Sequence, residues 1–333
     1  MKYHKSLNES LHNSMQNDEK IILLGEDIID PNGGAFKISQ GLSTRFPDRV
    51  LTTPISESSL VGIGCGLALR GFRAIIEIMF GDFITLTVDQ IINHAVKFEN
   101  MYNKKVKVPI VIRTPVGGGR GYGPTHSQSL EKIFLGIPGL KIIAPSHFHD
   151  PGLLLKNAIY EDSPVLFIEN KLLYPMSLYD SEKLKCDTNK DEKYSAAIVR
   201  NYSIETEKPD ILIITYGGVS KIIEELFVEM REEEIWCAAV IPSDISEPPY
   251  EIIYREAANA GRVIIVEEGY KRFNWGSEIS SKIYENIFPA LKSKIRLLAA
   301  ESQVIPACYE LEQEIIINKL KIENTIMEAI NGN

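Results

Sequence analysis

The sequence is poor in cysteine and has no long apolar run. Its cysteines form no Cys-x-x-Cys pair and lie far apart, at Cys65, Cys186, Cys237 and Cys308, so neither a disulfide framework nor a zinc site is indicated. No apolar stretch is long enough to span a bilayer. The first twenty residues are polar and lack the apolar core of a signal peptide. We therefore expect a reduced, cytoplasmic protein with no membrane segment.

Positive charge is also scarce. The 36 lysines and arginines are outnumbered by 45 aspartates and glutamates, which gives a formal net charge of −9. This balance argues against nucleic acid or an anionic membrane as a general partner. Hydrophobic residues make up 44% of the chain and charged residues 24%, as in soluble globular proteins. The 333 residues are enough for two domains, each with its own core.

The glycine-rich stretches lack the known phosphate-binding motifs. A dinucleotide fingerprint at Gly62 and Gly64 would need its third glycine at position 67, which is Leu67. Small residues that let a helix pack closely on a sheet explain this stretch better. The loop "VGGGRGYGPTHSQS" (116–129) has no Gly-Lys-Ser/Thr ending, so it is not a P-loop. A flexible surface loop is the simplest interpretation of it, yet it places His126 among hydroxyl and amide neighbours, as in proton-transfer sites.

What the sequence does have is an alternation of apolar runs and helical patterns, which predicts an α/β fold. Five buried strands of a parallel sheet covered on both faces are predicted at 20–27, 72–80, 108–115, 140–146 and 164–170, with helices over 58–71, 83–103 and 150–162. The charged stretch 179–195 indicates a linker or edge structure. Beyond it a smaller α/β pattern resumes, with a first strand at 210–218. We predict two α/β domains, 1–185 and 186–333.

Three residues stand out in predicted loops. Glu57 lies just ahead of a segment that is expected to be buried, where an acid is costly to desolvate unless something uses it. Glu26, after the first strand, is most simply a helix-capping or solvated acid, and core packing is the simplest role for Phe83. The histidines of "HFH" (147–149) have no third metal ligand at a workable spacing. From the residues alone, loop sites at Glu57, Phe83 and His126 are plausible and no reaction is named.

Six segments together resemble the β subunit of the E1 component of 2-oxo acid dehydrogenases. This family depends on thiamine diphosphate and includes pyruvate, branched-chain and acetoin dehydrogenases. The segments occur in the family's order and spacing across residues 20–175: "LLGEDI", "RVLTTPISESSLVGIGCGLALRGFRAIIEIMFGDF", "DQIINHAVKFENMY", "VPIVIRTPVGGGRGYGPTHSQSLE", "PGLKIIAPS" and "SPVLFIEN". The resemblance implies a pyrimidine-binding parallel-sheet domain followed by a smaller transketolase C-terminal-like domain.

The resemblance also implies roles for site residues. Glu57 matches the acid that meets N1′ of the cofactor's aminopyrimidine ring and so favours the imino form that activates the thiazolium carbon C2. Phe83 matches the aromatic residue stacked on that ring, and His126 the histidine that handles protons and orients the substrate. Further cofactor-lining positions match Glu26, Ile55, Ser56 and Met79. Met79 departs from the family, because several relatives have glutamine there.

Metals and partners follow from the same resemblance. A potassium ion in many relatives is held by main-chain carbonyls that match Ile110, Ala158, Ile159, Glu161 and Ser163. The Gly-Asp-Gly motif that anchors Mg²⁺ and the diphosphate is absent, so an α subunit is expected to supply it in an α₂β₂ heterotetramer. We expect the surface around residues 55–60 and 80–100 to be apolar and exposed in the isolated chain, which then dimerises through β–β contacts.

Departures from the family leave two alternatives to a dehydrogenase subunit open. Residues 241–253 and the C-terminal tail are atypical in a region that helps to dock the lipoyl-bearing E2 core, so another acceptor is conceivable. A split transketolase, or a stand-alone carboligase or decarboxylase, is the first alternative, although "THSQSLE" (125–131) follows the dehydrogenase form. A regulatory subunit without activity is the second, and the intact Glu57, Phe83 and His126 argue against it. Which 2-oxo acid is the substrate depends on a pocket shared with the α subunit.

Overall fold

The computed structural model describes residues 1–180, 182–188, 192–203 and 208–332. The chain forms two compact units. Unit 1 comprises Met1–Val116, Ile133–Ile143 and Asp150–Leu178, and unit 2 comprises Gly117–Lys132, Ala144–His149 and Tyr179–Asn333. Three stretches that precede residue 185 thus belong to unit 2: Gly117–Lys132, Ala144–His149 and residues 179–184. The predicted domain boundary after residue 185 stays a prediction.

Unit 1 is built on a parallel six-stranded sheet. Its strands are β1 (Ile21–Gly25), β2 (Val50–Thr52), β3 (Arg73–Glu77), β4 (Ile110–Val116), β5 (Lys141–Ile143) and β6 (Val165–Asn170), in the order β2-β1-β3-β4-β6-β5. Every pair is parallel. All residues of β1, β4 and β6 are buried, as expected for strands covered on both faces. The predicted parallel sheet is confirmed.

The helices of unit 1 are α1 (Tyr3–Asn17), α2 (Leu42–Arg45), α3 (Glu57–Leu69), α4 (Phe98–Met101) and α5 (Pro151–Ile159). Helix α3 packs closely on β3 because a glycine faces the strand. A Cβ atom on Gly64 would lie 2.7 Å from Cδ1 of Ile76. Gly64 therefore serves close helix–sheet packing, whereas Gly62 and Gly66 face away from the sheet: a Cβ atom on Gly62 would come no closer than 3.9 Å, to Gln90, and one on Gly66 would meet no atom within 4 Å.

The prediction of one α-helix over residues 83–103 is wrong. The chain forms a 3₁₀ segment, Gly81–Thr87, then a π segment, Gln90–Ala95, and only then the short α4. Thr85 and Thr87 explain the first break, because their hydroxyls donate to the carbonyls of Asp82 and Ile84, three residues back, at 3.0 and 2.7 Å. Such side-chain bonds compete with regular α-helical pairing.

Unit 2 holds a mixed six-stranded sheet. Its strands are β7 (Lys185–Thr188), β8 (Ala196–Arg200), β9 (Ile211–Ile214), β10 (Cys237–Pro242), β11 (Val263–Tyr270) and β12 (Arg296–Ala300), in the order β12-β11-β9-β10-β8-β7. Strand β8 runs antiparallel to both of its neighbours. The edge structure expected within 179–195 contains β7, while residues 181 and 189–191 of that stretch lie outside the described residues.

The helices of unit 2 are α6 (Ser220–Glu232), α7 (Tyr250–Ala260), α8 (Trp275–Ile287), α9 (Tyr309–Ile315) and α10 (Lys319–Asn331), with short 3₁₀ segments at Gly217–Val219 and Phe288–Ala290 and another at Glu131–Ile133. Apolar side chains of α6 and α10 pack together in its core. The histidines at 147 and 149 have structural contacts. The ring of His147 forms hydrogen bonds with Ser220 and Glu224, and the ring of His149 forms one with Ser146. Over the described ranges, no helix has the length and apolarity needed to cross a membrane.

Candidate functional site

Glu57 is the first residue of α3, directly after the loop that follows β2. Only 4% of its surface is exposed, and no described residue forms a hydrogen bond with its carboxylate. The start of a helix favours negative charge and offsets part of the cost of burial. The oxygens of Glu57 are not among the fully enclosed polar atoms that lack a partner, so the carboxylate keeps a small opening to solvent. A largely buried carboxylate without a protein partner is nevertheless unfavourable. Glu57 is therefore arranged as a group that a ligand would complete.

Glu26 follows β1 and supports the loop that carries Glu57. Its Oε1 accepts a hydrogen bond from the main-chain N–H of Ser56 at 2.9 Å. Burial raises the pKa of Glu26 above its usual value, and the nearby Glu57 carboxylate raises it further, although the bond from Ser56 acts in the opposite direction. Two carboxyl groups thus lie close together here. One of them fixes the main chain and the other has no partner among the described residues.

Phe83 and Met79 lie after β3, and both are half-buried. The ring of Phe83 meets Phe80 edge to face, with centroids 6.1 Å apart and planes at 80°. Gly81 lets this turn pass tightly over β4, because a Cβ atom there would lie 2.5 Å from Cγ1 of Val116. Ile55, by contrast, is 78% exposed.

The predicted pyrimidine-site residues share one edge of the unit 1 sheet. Glu26 follows β1, the stretch Ile55–Glu57 follows β2, and the stretch Met79–Phe83 follows β3. These three strands are parallel neighbours, so their carboxyl ends meet at the same edge. Open α/β sheets bind their ligands at that edge.

A buried ion network that the sequence did not predict joins β3, β4 and β6. Arg113 on β4 contacts Glu77 on β3 at 2.5 Å and Glu169 on β6 at 2.7 Å. Glu77 also accepts a hydrogen bond from Ser39 at 2.5 Å, which ties the loop after β1 to the sheet. Burial raises the pKa of Glu77, and the Arg113 guanidinium opposes that rise. A charged residue near the end of three apolar strands, "IIE", "VIRT" and "FIEN", was the available signal.

His126 belongs to the glycine-rich loop of unit 2. It is half-buried, and its Nδ1 lies 3.0 Å from the hydroxyl oxygen of Thr125. The base of the loop is closed by a hydrogen bond of 3.3 Å from the N–H of Gly117 to the carbonyl of Gln128. The loop thus presents a partly accessible imidazole beside a hydroxyl group, which suits proton transfer.

Two buried acids of unit 2 were also missed. Glu131 accepts a hydrogen bond of 2.6 Å from the phenol of Tyr216. Glu267 accepts bonds from the N–H groups of Trp275 and Gly276 at 3.2 and 3.1 Å. Burial raises the pKa of Glu267 to about 7, and the Glu131 charge adds to the rise. These residues form a titratable group in the same unit as His126.

Two of the five carbonyls predicted to hold potassium accept hydrogen bonds from a guanidinium. Arg73 donates to the carbonyls of Ile159 and Glu161 at 3.1 and 2.7 Å, and to the carboxylate of Asp162 at 3.1 Å. Its charge also lies 5.6 Å from the centre of the Tyr160 ring. Each carbonyl oxygen has a second lone pair, so the fit to potassium is partial.

Comparison with known families agrees with the two-part architecture. Residues 1–177 match the transketolase pyrimidine binding domain, and residues 201–322 match the transketolase C-terminal domain. A solved structure described as "Split gene transketolase, inactive beta4 tetramer" superposes with a TM-score of 0.73, covering 98% of this chain and 97% of that one. At 16% sequence identity, this likeness shows the fold alone.

Curated relatives match along nearly the whole chain. The acetoin:2,6-dichlorophenolindophenol oxidoreductase subunit beta of Cupriavidus necator is 32% identical over 336 residues, covering 98% of this chain and 96% of that protein. The 2-oxoisovalerate dehydrogenase subunit beta of Bacillus subtilis is 33% identical over 330 residues, covering 98% of both. The chain therefore belongs to the family of E1 β subunits of 2-oxo acid dehydrogenases, which are built on the transketolase pyrimidine-binding and C-terminal domains.

Proposed function

We propose that this chain provides the pyrimidine half of a thiamine diphosphate site in an E1 enzyme that decarboxylates a 2-oxo acid and transfers the acyl unit to lipoamide. The observation that carries the proposal is Glu57, a buried carboxyl group without a hydrogen bond from any described residue. It lies at the sheet edge where α/β folds bind ligands. Family membership supports the same cofactor.

The chain's own residues would bind and orient the cofactor. Bound thiamine diphosphate supplies a thiazolium carbon that adds to the ketone of a 2-oxo acid and takes up the electron pair released with carbon dioxide. Glu57 would hold a proton at N1′ of the aminopyrimidine ring through a short, charge-assisted hydrogen bond. Phe83 would pack on the ring face, and the thioether of Met79 would line the pocket without a polar contact.

His126 would serve the substrate. Imidazole both accepts and donates a proton near neutral pH, so His126 can move a proton at the substrate's ketone oxygen. His126 belongs to a loop of unit 2, whereas Glu57 belongs to unit 1. We therefore assign Glu57 to cofactor activation and His126 to the later proton transfers.

An α subunit would complete the site, because the diphosphate requires Mg²⁺ and its oxygen ligands. The surface expected to meet that subunit exposes two large apolar side chains, Ile55 at 78% and Leu86 at 58%, beside exposed polar residues such as Asp89, Asn93 and Lys97. A groove of about 530 Å³ runs along α3, lined in part by Gly62 and Gly66, where small residues permit close approach of a helix. We infer an α₂β₂ assembly with β–β contacts.

The four free cysteines support the expected cytoplasmic location.

We also propose a potassium site and an E2 acceptor. Potassium would have to share the carbonyls of Ile159 and Glu161 with Arg73, which already brings a positive charge to them. Replacing potassium by sodium is therefore expected to change the melting temperature of the α–β complex little, and a large drop would show that the ion is needed. A lipoyl-bearing E2 is proposed as the acyl acceptor from family membership.

The experiment is an assay of the chain purified together with its α subunit. Reduction of 2,6-dichlorophenolindophenol is measured with pyruvate, 3-methyl-2-oxobutanoate and acetoin, each with and without thiamine diphosphate and Mg²⁺. We expect cofactor-dependent dye reduction with at least one of these substrates. Two-carbon transfer between sugar phosphates without dye reduction would instead identify a split transketolase.

A further inference from the structure

The glycine-rich loop that carries His126 has a backbone shaped to bind an anion. Every second residue from 117 to 123 is a glycine with positive φ, at 93°, 85°, 67° and 77°. Residues with side chains rarely adopt this conformation. When left-handed residues alternate with ordinary ones, successive N–H groups turn towards a common point and form an anion-binding concavity.

The anion is a side chain of the same unit. Oε1 of Glu312, on α9, accepts a hydrogen bond of 2.8 Å from the N–H of Gly119, and Oε2 accepts one of 2.9 Å from Gly121. Glu312 is fully buried. A Cβ atom on Gly118 would lie 3.0 Å from Oε1, so the loop is fitted closely around the carboxylate. Both oxygens are engaged by a single loop.

The chain just before α9 packs on the other end of the loop. A Cβ atom on Gly121 would lie 3.2 Å from the carbonyl of Ala307, and one on Gly123 would lie 3.5 Å from the Ala307 side chain. Glu312 is held in turn by the N–H···O bond of 2.9 Å from its own backbone to Cys308. The atypical C-terminal tail is thus the support on which this loop rests.

We propose that Glu312 is a positioning residue that holds the glycine-rich loop in the conformation that presents His126. The inference rests on the proposed role of His126. A loop with this many glycines loses much conformational entropy when it is ordered. Hydrogen bonds to a charged acceptor are about twice as strong as neutral ones and offset that loss. Without the carboxylate, His126 would spend less time in its working position.

The test compares Glu312→Gln with Glu314→Gln in the complete α–β complex. Glu312→Gln keeps one acceptor oxygen for one glycine N–H and places an NH₂ group opposite the other. Glu314 lies on the same helix and is exposed, so Glu314→Gln is the matched control. Hydrogen–deuterium exchange of peptides spanning 117–128 should quicken about tenfold or more in Glu312→Gln. Its kcat with the substrate that supports dye reduction in the wild type should fall about tenfold, while its affinity for thiamine diphosphate, measured by calorimetry, should stay within about twofold. Glu314→Gln should match the wild type in all three.

Two further variants keep the proposal falsifiable. Glu312→Asp retains the charge but is one methylene shorter, so it should fall between wild type and Glu312→Gln in both exchange and kcat. His126→Ala should lose turnover while its loop exchanges at the wild-type rate, so a turnover retained in that variant would count against the role of His126 and not against the loop contact. Unchanged loop exchange in Glu312→Gln, or a loosened loop with unchanged kcat, would overturn the proposal.

Discussion

Glu57 and Glu312 are both buried carboxylates, and their surroundings are opposite. Glu312 accepts two main-chain hydrogen bonds from a loop of its own unit. Glu57 receives none from any described residue, although it is only 4% exposed. A buried acid with its bonds made holds structure in place, whereas one without them is incomplete until a ligand binds. The contrast separates a structural acid from a functional one within one chain.

The largest effect is expected at Glu57. Glu57→Gln should lower the turnover of the α–β complex by about four powers of ten, since an amide cannot share a proton with N1′ as a carboxyl group does. The free energy of unfolding of Glu57→Gln should stay the same or rise, because the Glu57 carboxylate forms no hydrogen bond with a described residue that the substitution could remove. Glu312→Gln should instead lower it by about 1–3 kcal/mol. Urea unfolding of both variants checks the contrast, and a clear destabilisation by Glu57→Gln would contradict it.

His126→Ala should slow turnover by about two to four powers of ten, as is usual when an acid–base group is lost. The step affected should be decarboxylation or acyl transfer. Hydrogen–deuterium exchange at C2 of the bound cofactor, followed by nuclear magnetic resonance, should stay as fast as in the wild type. Slow exchange in this variant would place His126 in cofactor activation and remove the division of labour between it and Glu57.

Phe83→Ala should weaken binding of thiamine diphosphate to the α–β complex by roughly 1–3 kcal/mol, because the ring's packing and burial are lost. Phe273, which is 96% exposed, offers the matched control. Phe273→Ala should bind the cofactor as the wild type does. Equal affinities in the two variants, measured by calorimetry, would show that Phe83 does not contact the pyrimidine ring.

Glu267 gives an effect on stability alone, a dependence of the free energy of unfolding on pH. Burial raises its pKa from 4.5 to about 7, so between these values the folded state binds more protons than the unfolded state. The free energy of unfolding therefore falls as pH rises through this window, by about 3 kcal/mol at most. Glu267→Gln should flatten that fall in urea unfolding at pH 5.5, 7 and 8.5. An identical slope in both proteins would contradict the shifted pKa.

The sequence predicts those features that a single segment carries. Strands such as β1, β4 and β6 are continuous apolar runs, and Glu57 stands out as an acid at the start of an apolar helix. The broken helix over 83–103 was missed although it lies in one segment, because the pattern of apolar residues does not record the hydrogen bonds of Thr85 and Thr87 that compete with α-helical pairing. The bonds of Glu312 to Gly119 and Gly121 were missed because they join residues 193 and 191 positions apart, which no local pattern records.

The most direct test of the split site is calorimetry on the purified chain with thiamine diphosphate and Mg²⁺, before and after the α subunit is added. If this chain holds only the pyrimidine half, it should show no saturable binding alone and should bind the cofactor once the α subunit is present. Micromolar binding by the chain without any partner would contradict the split site.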